Sequence, residues 1–385
     1  MKKIIFIIIF LSIFFTYNIT YNTEKVFAEE INNYMNDTID SLGLKEYDYE
    51  INENIINGTE MEFSFSEIVK KAINGELKEI SILDFINYIL NTLFNEIFIN
   101  SKIIKNIIII ALLCAFLKAL TDSFKNKGVG EVGFYAGYMI IATLLISSFN
   151  LAIGVLIETI MSISNIINSL VPLLAGVLII SGAPASSTIF TGTIITFINL
   201  VTFIMNKIFI PLISSMVVLN IINYITPKEV LNKLIEFLKW ITTFGIRTLA
   251  TIFAFIISFQ KVTSPMMNSA INKTAKTAVN FIPIIGDVIN GTIDGIMHFV
   301  GLIKGGVGIG VVIFILIACL IPILKLVSFI IIYKITAILI EPISDKRITS
   351  CIDCIGEYTK MILSTLIIFV FLFILVVIVM LSISV

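Results

Sequence analysis

The chain has 385 residues, of which 57% are hydrophobic and 14% are charged, and its formal net charge is −1. Soluble domains carry roughly a quarter of their residues as charge, so this composition excludes an ordinary soluble protein. Between Gly128 and Pro227 the charged residues are Glu131, Glu158 and Lys207. So long an apolar run predicts a multi-pass membrane protein, and we expect no nucleic-acid partner.

The N-terminus has the pattern of a secretory signal peptide. Lys2 and Lys3 precede a short apolar stretch over residues 4–15, and Val26 and Ala28 precede two glutamates. This pattern predicts a signal peptide over residues 1–28 that is cleaved after Ala28. The alternative is an uncleaved signal anchor. In both cases the following segment is exported, because the positive end stays in the cytoplasm.

Residues 29–102 are acidic and predict a short exported helical segment. They contain fifteen Asp and Glu against five Lys, a net charge of −10, whereas residues 103–385 contain eleven acidic and eighteen basic residues, a net charge of +7. Ser64 and Glu67 fit the capping box that opens a helix. Two interpretations stay open: a helical pair that packs on itself or on the membrane body, or a surface that docks an exported partner.

Residues 103–385 predict an all-α, polytopic membrane domain with about seven to eight spans of about 20 residues each. The apolar runs place these spans at residues 103–120, 134–157, 160–181, 188–207, 208–225, 241–260 and 361–383. The stretch 307–341 is long for one span and short for two. A single kinked helix through Pro322 and a hairpin that turns at Lys325 are the two alternatives.

Export of the acidic segment predicts that three connections face the cytoplasm. The first is the connection after the first span, with Lys125 and Lys127, and the second is formed by residues 226–240. The third is formed by residues 341–360 and faces the cytoplasm on the single-helix alternative for residues 307–341. Their excess of Lys and Arg over the outside connections agrees only weakly with the positive-inside rule. Residues 226–239 have the pattern of an interfacial amphipathic helix, and Trp240, the single tryptophan, falls where an interfacial anchor is expected.

Residues 261–306 predict an interrupted or re-entrant region, because Pro and Gly break an otherwise apolar stretch. Such a segment lines a passage or, alternatively, forms a surface amphipathic hairpin. Glycines at a spacing of four let helices approach closely, which predicts packing rather than ligand contact. These helix-packing glycines are Gly291, Gly295, Gly301, Gly305, Gly306 and Gly310.

Charged residues within the apolar runs are the candidate passage-lining residues, because charge is expensive in lipid. They are Glu158, Arg247, Asp287, Asp294 and Lys325. Simpler interpretations exist for two of them. Glu158 lies at a predicted span boundary and can face water there, and Arg247 is close enough to Trp240 to reach the interface.

The sequence offers no credible catalytic or metal-binding constellation. Asp294 and His298 share a helix face, but His298 is the single histidine. Cys351 and Cys354 form one C-x-x-C without a second pair of ligands, which is weak for zinc, and we interpret them as ordinary thiols in a loop. We expect a protein that is not an enzyme and that binds no metal or cofactor.

The order of motifs along the chain resembles the stage III sporulation protein AE family of endospore-forming bacteria. The motifs are Ser181-Gly182-Ala183-Pro184-Ala185-Ser186-Ser187, Pro283-Ile284-Ile285-Gly286-Asp287, Gly305-Gly306-Val307-Gly308-Ile309-Gly310, Cys319-Leu320-Ile321-Pro322 and Glu341-Pro342-Ile343-Ser344-Asp345. They are patterns of small and apolar residues, and the resemblance covers nearly the whole chain.

This resemblance implies a non-catalytic subunit of a channel-like, secretion-like complex that links mother cell and forespore and is required for late forespore development. It implies a location in the mother-cell membrane around the forespore, with the N-terminal segment on the extracytoplasmic side. The implied partners are the lipid bilayer and other membrane subunits, and self-association into a homo-oligomer is left open. The alternative is a secondary transporter or permease for a small solute.

Overall fold

The computed structural model describes residues 65–74, 82–123, 127–180, 184–225, 230–279 and 286–382, and this part of the chain is helical without strands. The all-α class is therefore confirmed. The predicted signal peptide with its cleavage site at Ala28 lies outside the described residues. The helices are α1 (Phe65–Asn74), α2 (Ile82–Ile99), α3 (Ser101–Ser123), α4 (Lys127–Ile180), α5 (Pro184–Ile204), a π-helix (Met205–Phe209), α6 (Ile210–Ile225), α7 (Asn232–Val279), α8 (Gly286–Ile340) and α9 (Lys346–Ser382).

Five of the described helical runs are long and apolar enough to cross a membrane, or up to six when the bent pair α2 and α3 forms one span. They are Val132–Ile179, Ser187–Ile225, Asn232–Ile257, Gly305–Ile340 and Lys346–Val379. The predicted count of about seven to eight spans is not confirmed, because four predicted spans merge into two long runs. A single Glu158 or Lys207 does not interrupt a helix as Pro or Gly does.

The chain continues as helix through two segments whose structure the sequence left open. α8 passes Pro322 without a break, which agrees with the single-helix alternative for residues 307–341. α7 extends to Val279 and α8 begins at Gly286, so Gly291, Gly295 and Gly301 lie within a helix. Any interruption of residues 261–306 is therefore limited to residues 280–285, which lie outside the described part.

α4 is the central helix, and it packs against α3, α5, α8 and α9. Two buried tyrosines connect it to its neighbours. The Tyr138 hydroxyl donates to the Ile221 carbonyl over 2.6 Å, and the Tyr333 hydroxyl donates to the Ser148 hydroxyl over 2.8 Å. Buried polar groups need such partners, so these bonds fix the helices along their axes as well as side by side.

Arg347 joins three helices at one end of the bundle. Its guanidinium lies 3.8 Å from the centre of the Phe134 ring, Nη1 donates to the Ile225 carbonyl over 3.3 Å, and Nε donates to Asp345 over 3.2 Å. The start of α4, the end of α6 and the start of α9 therefore meet there. We call this the connector end, because the turn over residues 341–345 lies at it and the hydrogen bond from Asn223 to Asn232 joins the end of α6 to the start of α7 there.

α1 and α2 pack against α8, so part of the predicted exported segment lies against the membrane body. This agrees with the first of the two alternatives for that segment. The Val69 side chain is completely buried. A Cβ placed on Gly310 would lie 2.9 Å from the Val69 Cα, whereas a Cβ on Gly305 would have nothing within 4 Å. Gly310 therefore permits α1 to approach α8 closely, whereas no neighbouring atom is close enough to require a glycine at position 305.

We expect Gly310→Ala to displace α1 from α8 and Gly305→Ala to leave the packing intact. The added methyl of the first variant overlaps backbone as well as side-chain atoms, and overpacking typically costs about 1–3 kcal/mol. Limited proteolysis of the purified protein in detergent measures this, with cleavage near residues 65–74 as the readout. Equal protease resistance of the two variants would contradict the packing.

Candidate functional site at the centre of the bundle

Three of the sequence-predicted passage residues lie near the middle of the long helices. Glu158 on α4 and Arg247 on α7 are exposed on the outer surface, and Lys325 on α8 is half-buried. Asp287 and Asp294 lie in the first three turns of α8, more than thirty residues before Lys325, and their side chains lie outside the described part. The structure therefore does not bring these two aspartates to the other three residues.

Glu158 and Lys325 lie at nearly the same height along the bundle. α4 starts at the connector end and α8 finishes there, so the two helices are antiparallel. The Tyr333 hydroxyl lies 2.8 Å from the Ser148 hydroxyl. Eight residues farther from the connector end than Tyr333 lies Lys325 on α8, and eight residues farther than Ser148 lies Leu156 on α4. Leu156 is two residues from Glu158.

Lys207, which the sequence did not nominate, lies at the same height. Asn168 Nδ2 lies 3.5 Å from Asn199 Oδ1, which aligns α4 with the antiparallel α5. Eight residues closer to the connector end, the chain reaches Lys207 from Asn199 and Ile160 from Asn168. Ile160 is two residues from Glu158. Lys207 is also exposed.

Arg247 is aligned with Lys207 by a direct contact between their helices. A Cβ on Gly245 would lie 2.7 Å from the Phe209 ring, so Gly245 sits against this ring. Arg247 lies two residues after Gly245, and Lys207 lies two residues before Phe209. Because the two helical segments run in opposite directions, both steps lead away from the connector end by the same distance. Four charged residues from four helical segments therefore share one height, which we call the charge level: Glu158, Lys207, Arg247 and Lys325.

The charge level coincides with the middle of a charge-free stretch of α9 that has the length of a membrane span. Residues 361–382 of α9 contain no charged residue and span about 33 Å, close to the thickness of the bilayer hydrocarbon. α4 and α9 run in the same direction from the contact between Phe134 and Arg347. Twenty-four residues beyond these positions lie Glu158 and Phe371, and Phe371 is at the middle of that stretch.

This placement sets Glu158, Lys207 and Arg247 near the bilayer midplane on the outer surface of one chain. A charged side chain at the centre of a membrane costs about 2.5–3.5 kcal/mol even by the lower insertion scales. Such residues almost always face protein or a water-filled space. We infer that this surface does not face lipid in the working protein, and the passage-lining role of the individual residues stays a prediction.

A local widening of the helix surrounds Lys207. Residues Met205–Phe209 form a π-helix, in which the Ile210 amide donates to the Met205 carbonyl. Pro211 follows Lys207 by four residues, lacks an N–H and crowds the preceding turn, which favours the wider turn. Single π-turns inside α-helices are frequent at functional sites. The spacing of Lys207 and Pro211 is the sequence signal from which Lys207 could have been nominated.

A cavity of about 790 Å³ opens at the connector end, between α6, α7, α8 and α9. The Asn220 amide donates to the Tyr358 hydroxyl, and Asn223 Nδ2 donates to Asn232 Oδ1 over 2.6 Å, so the cavity wall is polar. The charged residues that line it are Glu236, Lys239, Glu341, Lys346, Asp353 and Glu357.

Ion pairs beside this cavity indicate that the connector end lies outside hydrocarbon. Lys334 Nζ lies 2.7 Å from an Asp353 oxygen and 2.9 Å from a Glu357 oxygen, and these side chains are 37–48% exposed. Half-exposed ion pairs of this kind need water or lipid headgroups around them. The cavity therefore faces an aqueous compartment.

Cys351 and Cys354 do not lie in a loop, so that part of the sequence interpretation is wrong. The helix α9 begins at Lys346 and includes both residues, because residues 346–360 continue the helical pattern of the following span. Cys351 is buried, Cys354 is half-buried beside the cavity, and the four cysteines, including Cys114 and Cys319, are free thiols. No group of three or more His, Cys, Asp and Glu placed to hold a metal ion occurs within the described helices.

We expect water at the charge level. In a Cys354→Ser background, Lys207→Cys should react with a hydrophilic thiol reagent in membrane vesicles, because Glu158 and Arg247 remain at this depth and such charges retain water or polar neighbours. Phe371→Cys is the matched control, since Phe371 is exposed at the same depth on α9, in a stretch without charged residues, and should not react. Labelling of Phe371→Cys alone, or of neither variant, would contradict a hydrated charge level.

Comparisons with known proteins agree with the resemblance in the motifs. The family model described as "Stage III sporulation protein AE" matches residues 63–384. The protein named "Stage III sporulation protein AE" of Bacillus subtilis (strain 168) is 30% identical over 298 residues, which cover 77% of this chain and 74% of that protein. No solved structure matches the chain. The chain belongs to the stage III sporulation protein AE family.

Proposed function

We propose that the chain is a non-catalytic integral membrane subunit of a channel-like complex between mother cell and forespore. The observation that carries this proposal is the exposure of Glu158, Lys207 and Arg247 at one height along the helices, which we infer to be near the bilayer midplane. A chain surrounded by lipid alone would leave three charges in hydrocarbon. A subunit of a larger assembly covers them with protein or with the water of a passage.

The orientation proposed for the chain follows from the charges near the connector end. Lys125 precedes α4, Lys127 is its first residue, Lys228 and Lys233 are close in sequence to the start of α7, and Lys346 is the first residue of α9. Positively charged connections favour the cytoplasmic side. The connector end and its cavity then face the mother-cell cytoplasm, and the N-terminal segment faces the space between the two membranes, where partner subunits bind.

A secondary transporter is the weaker candidate. Transporters of that class bind their substrate near the midplane, between discontinuous helices that recur in two related halves. The cavity that the described helices form at the connector end lies elsewhere, because Tyr358 on its wall precedes the midplane residue Phe371 by thirteen residues, or about 20 Å of helix. Its position fits a docking or loading site at the membrane surface better than a transport site.

Deletion of the gene in the spore-forming host should let sporulation begin and then stall after engulfment. The physical reason is that the assembly then lacks a wall of its passage, so the forespore is not sustained. Heat-resistant spore counts and a late-forespore reporter measure this result, with the wild-type gene and Gly305→Ala as complementing controls. Normal spore counts in the deletion strain would contradict the proposal.

A further inference from the structure

The exposed charges are arranged with opposite signs at the two sides of one helix. α5 packs against both α4 and α7 and separates them. The ring of Phe197 on α5 lies 4.9 Å from that of Phe253 on α7, so this packing continues beyond the charge level. At that level the surface carries Glu158 on the α4 side, Lys207 in the middle and Arg247 on the α7 side.

The polar character of this surface extends from the charge level along α4 and α5. Asn165, Thr196 and Asn199 are exposed on these two helices. The side-chain oxygens of Asn168, Thr202 and Asn206 are buried and have no hydrogen-bond partner among the described residues. Asn206 is the residue before Lys207. Apolar side chains such as Met161, Leu200 and Phe203 are exposed between these residues, so the surface is mixed. Its charged and polar residues are the part that needs polar neighbours or water.

Membrane insertion restricts how copies of one chain can cover this surface. All copies enter the membrane in the same orientation, so a closed assembly relates them by rotation about an axis normal to the bilayer. Rotation about that axis keeps every residue at its depth. Glu158 of one copy therefore meets charges of the next copy only at the charge level, where Arg247 and Lys207 lie.

Of the two symmetric contacts, the head-to-tail one matches the charges. A two-fold contact centred on this surface would bring two Lys207 side chains together, and like charges in low dielectric repel. A head-to-tail contact places the α4 side of one copy against the α7 side of the next. Glu158 then lies opposite Arg247, and Lys207 is left facing the enclosed space.

We propose that this chain assembles head to tail with further copies of itself into a ring, with Glu158 of each copy paired with Arg247 of the next. Lys207 and the polar residues of α4 and α5 line the hydrated space that the ring encloses. This inference deepens the proposed function, on which it rests, by naming the partner that covers the charge level.

Disulfide cross-linking tests the arrangement directly. In a cysteine-free background, the full-length variant with Glu158→Cys and Arg247→Cys should give a ladder of dimers, trimers and larger products in membrane vesicles. Each single variant should give no ladder, and the two single variants expressed together should give dimers. The ladder arises because every copy offers one cysteine to each of its two neighbours.

The matched control places the two cysteines at different depths. Leu151 on α4 and Phe255 on α7 are both exposed, at 56% and 69%. Leu151 lies seven residues on the connector side of Glu158, and Phe255 lies eight residues on the far side of Arg247. About 22 Å of helix then separates the two depths, so this pair should not cross-link.

Charge reversal provides a second measurement that does not depend on cysteines. Glu158→Arg and Arg247→Glu should each reduce chemically cross-linked trimers and larger products by about tenfold, because like charges face each other. The double variant should restore them. Dimers alone from the double-cysteine variant, cross-linking of Glu158→Cys with itself, or no rescue by the double reversal would overturn the head-to-tail ring.

The outcomes separate this inference from the proposed function. Absence of the ladder together with a sporulation block in the deletion strain would remove the ring and leave a channel subunit whose charge level another protein covers. A ladder together with normal spore counts would leave the ring and remove the sporulation role.

Discussion

The cost of charge in hydrocarbon constrains the whole body of this protein. Glu158, Lys207, Arg247 and Lys325 come from four helical segments and reach one height, and the charge-free stretch of α9 sets that height near the bilayer midplane. Lys325 is half-buried within the bundle, whereas the other three are on its outer surface. The helices therefore pack against one another, but the outer surface that carries the three exposed charges is not suited to lipid. The function of the protein depends on what covers that surface.

The helices are also longer than a bilayer requires. Val132–Ile179 has 48 residues, or about 70 Å of helix, whereas the hydrocarbon is about 30 Å thick. Tilt up to the usual limit does not absorb such a difference. With Glu158 at the midplane, both ends of this helix extend out of the hydrocarbon, and the exposed ion pairs and the cavity belong to the aqueous part at the connector end. The same helices thus form both the membrane wall and surfaces outside it.

The sequence predicted the features that depend on composition and local pattern. The all-α class, the sporulation family and the nomination of Glu158, Arg247 and Lys325 as unusual charges all followed from it. The height that these charges share did not, because it depends on contacts between helices far apart in sequence, such as Tyr333 with Ser148. Lys207 was assigned to a break between two spans, because a charged residue ended one apolar run and the π-turn before Pro211 depends on the packed helix.

The depth of Trp240 in the bilayer tests the central claim most directly. Trp240 is the single tryptophan of the chain, is 59% exposed, and precedes Arg247 by seven residues. If the charge level is at the midplane, the indole lies about 10 Å from the bilayer centre. Fluorescence quenching of the full-length protein by lipids brominated at a series of depths should give that distance. An indole at the centre, or about 20 Å or more from it and outside the hydrocarbon, would contradict the account.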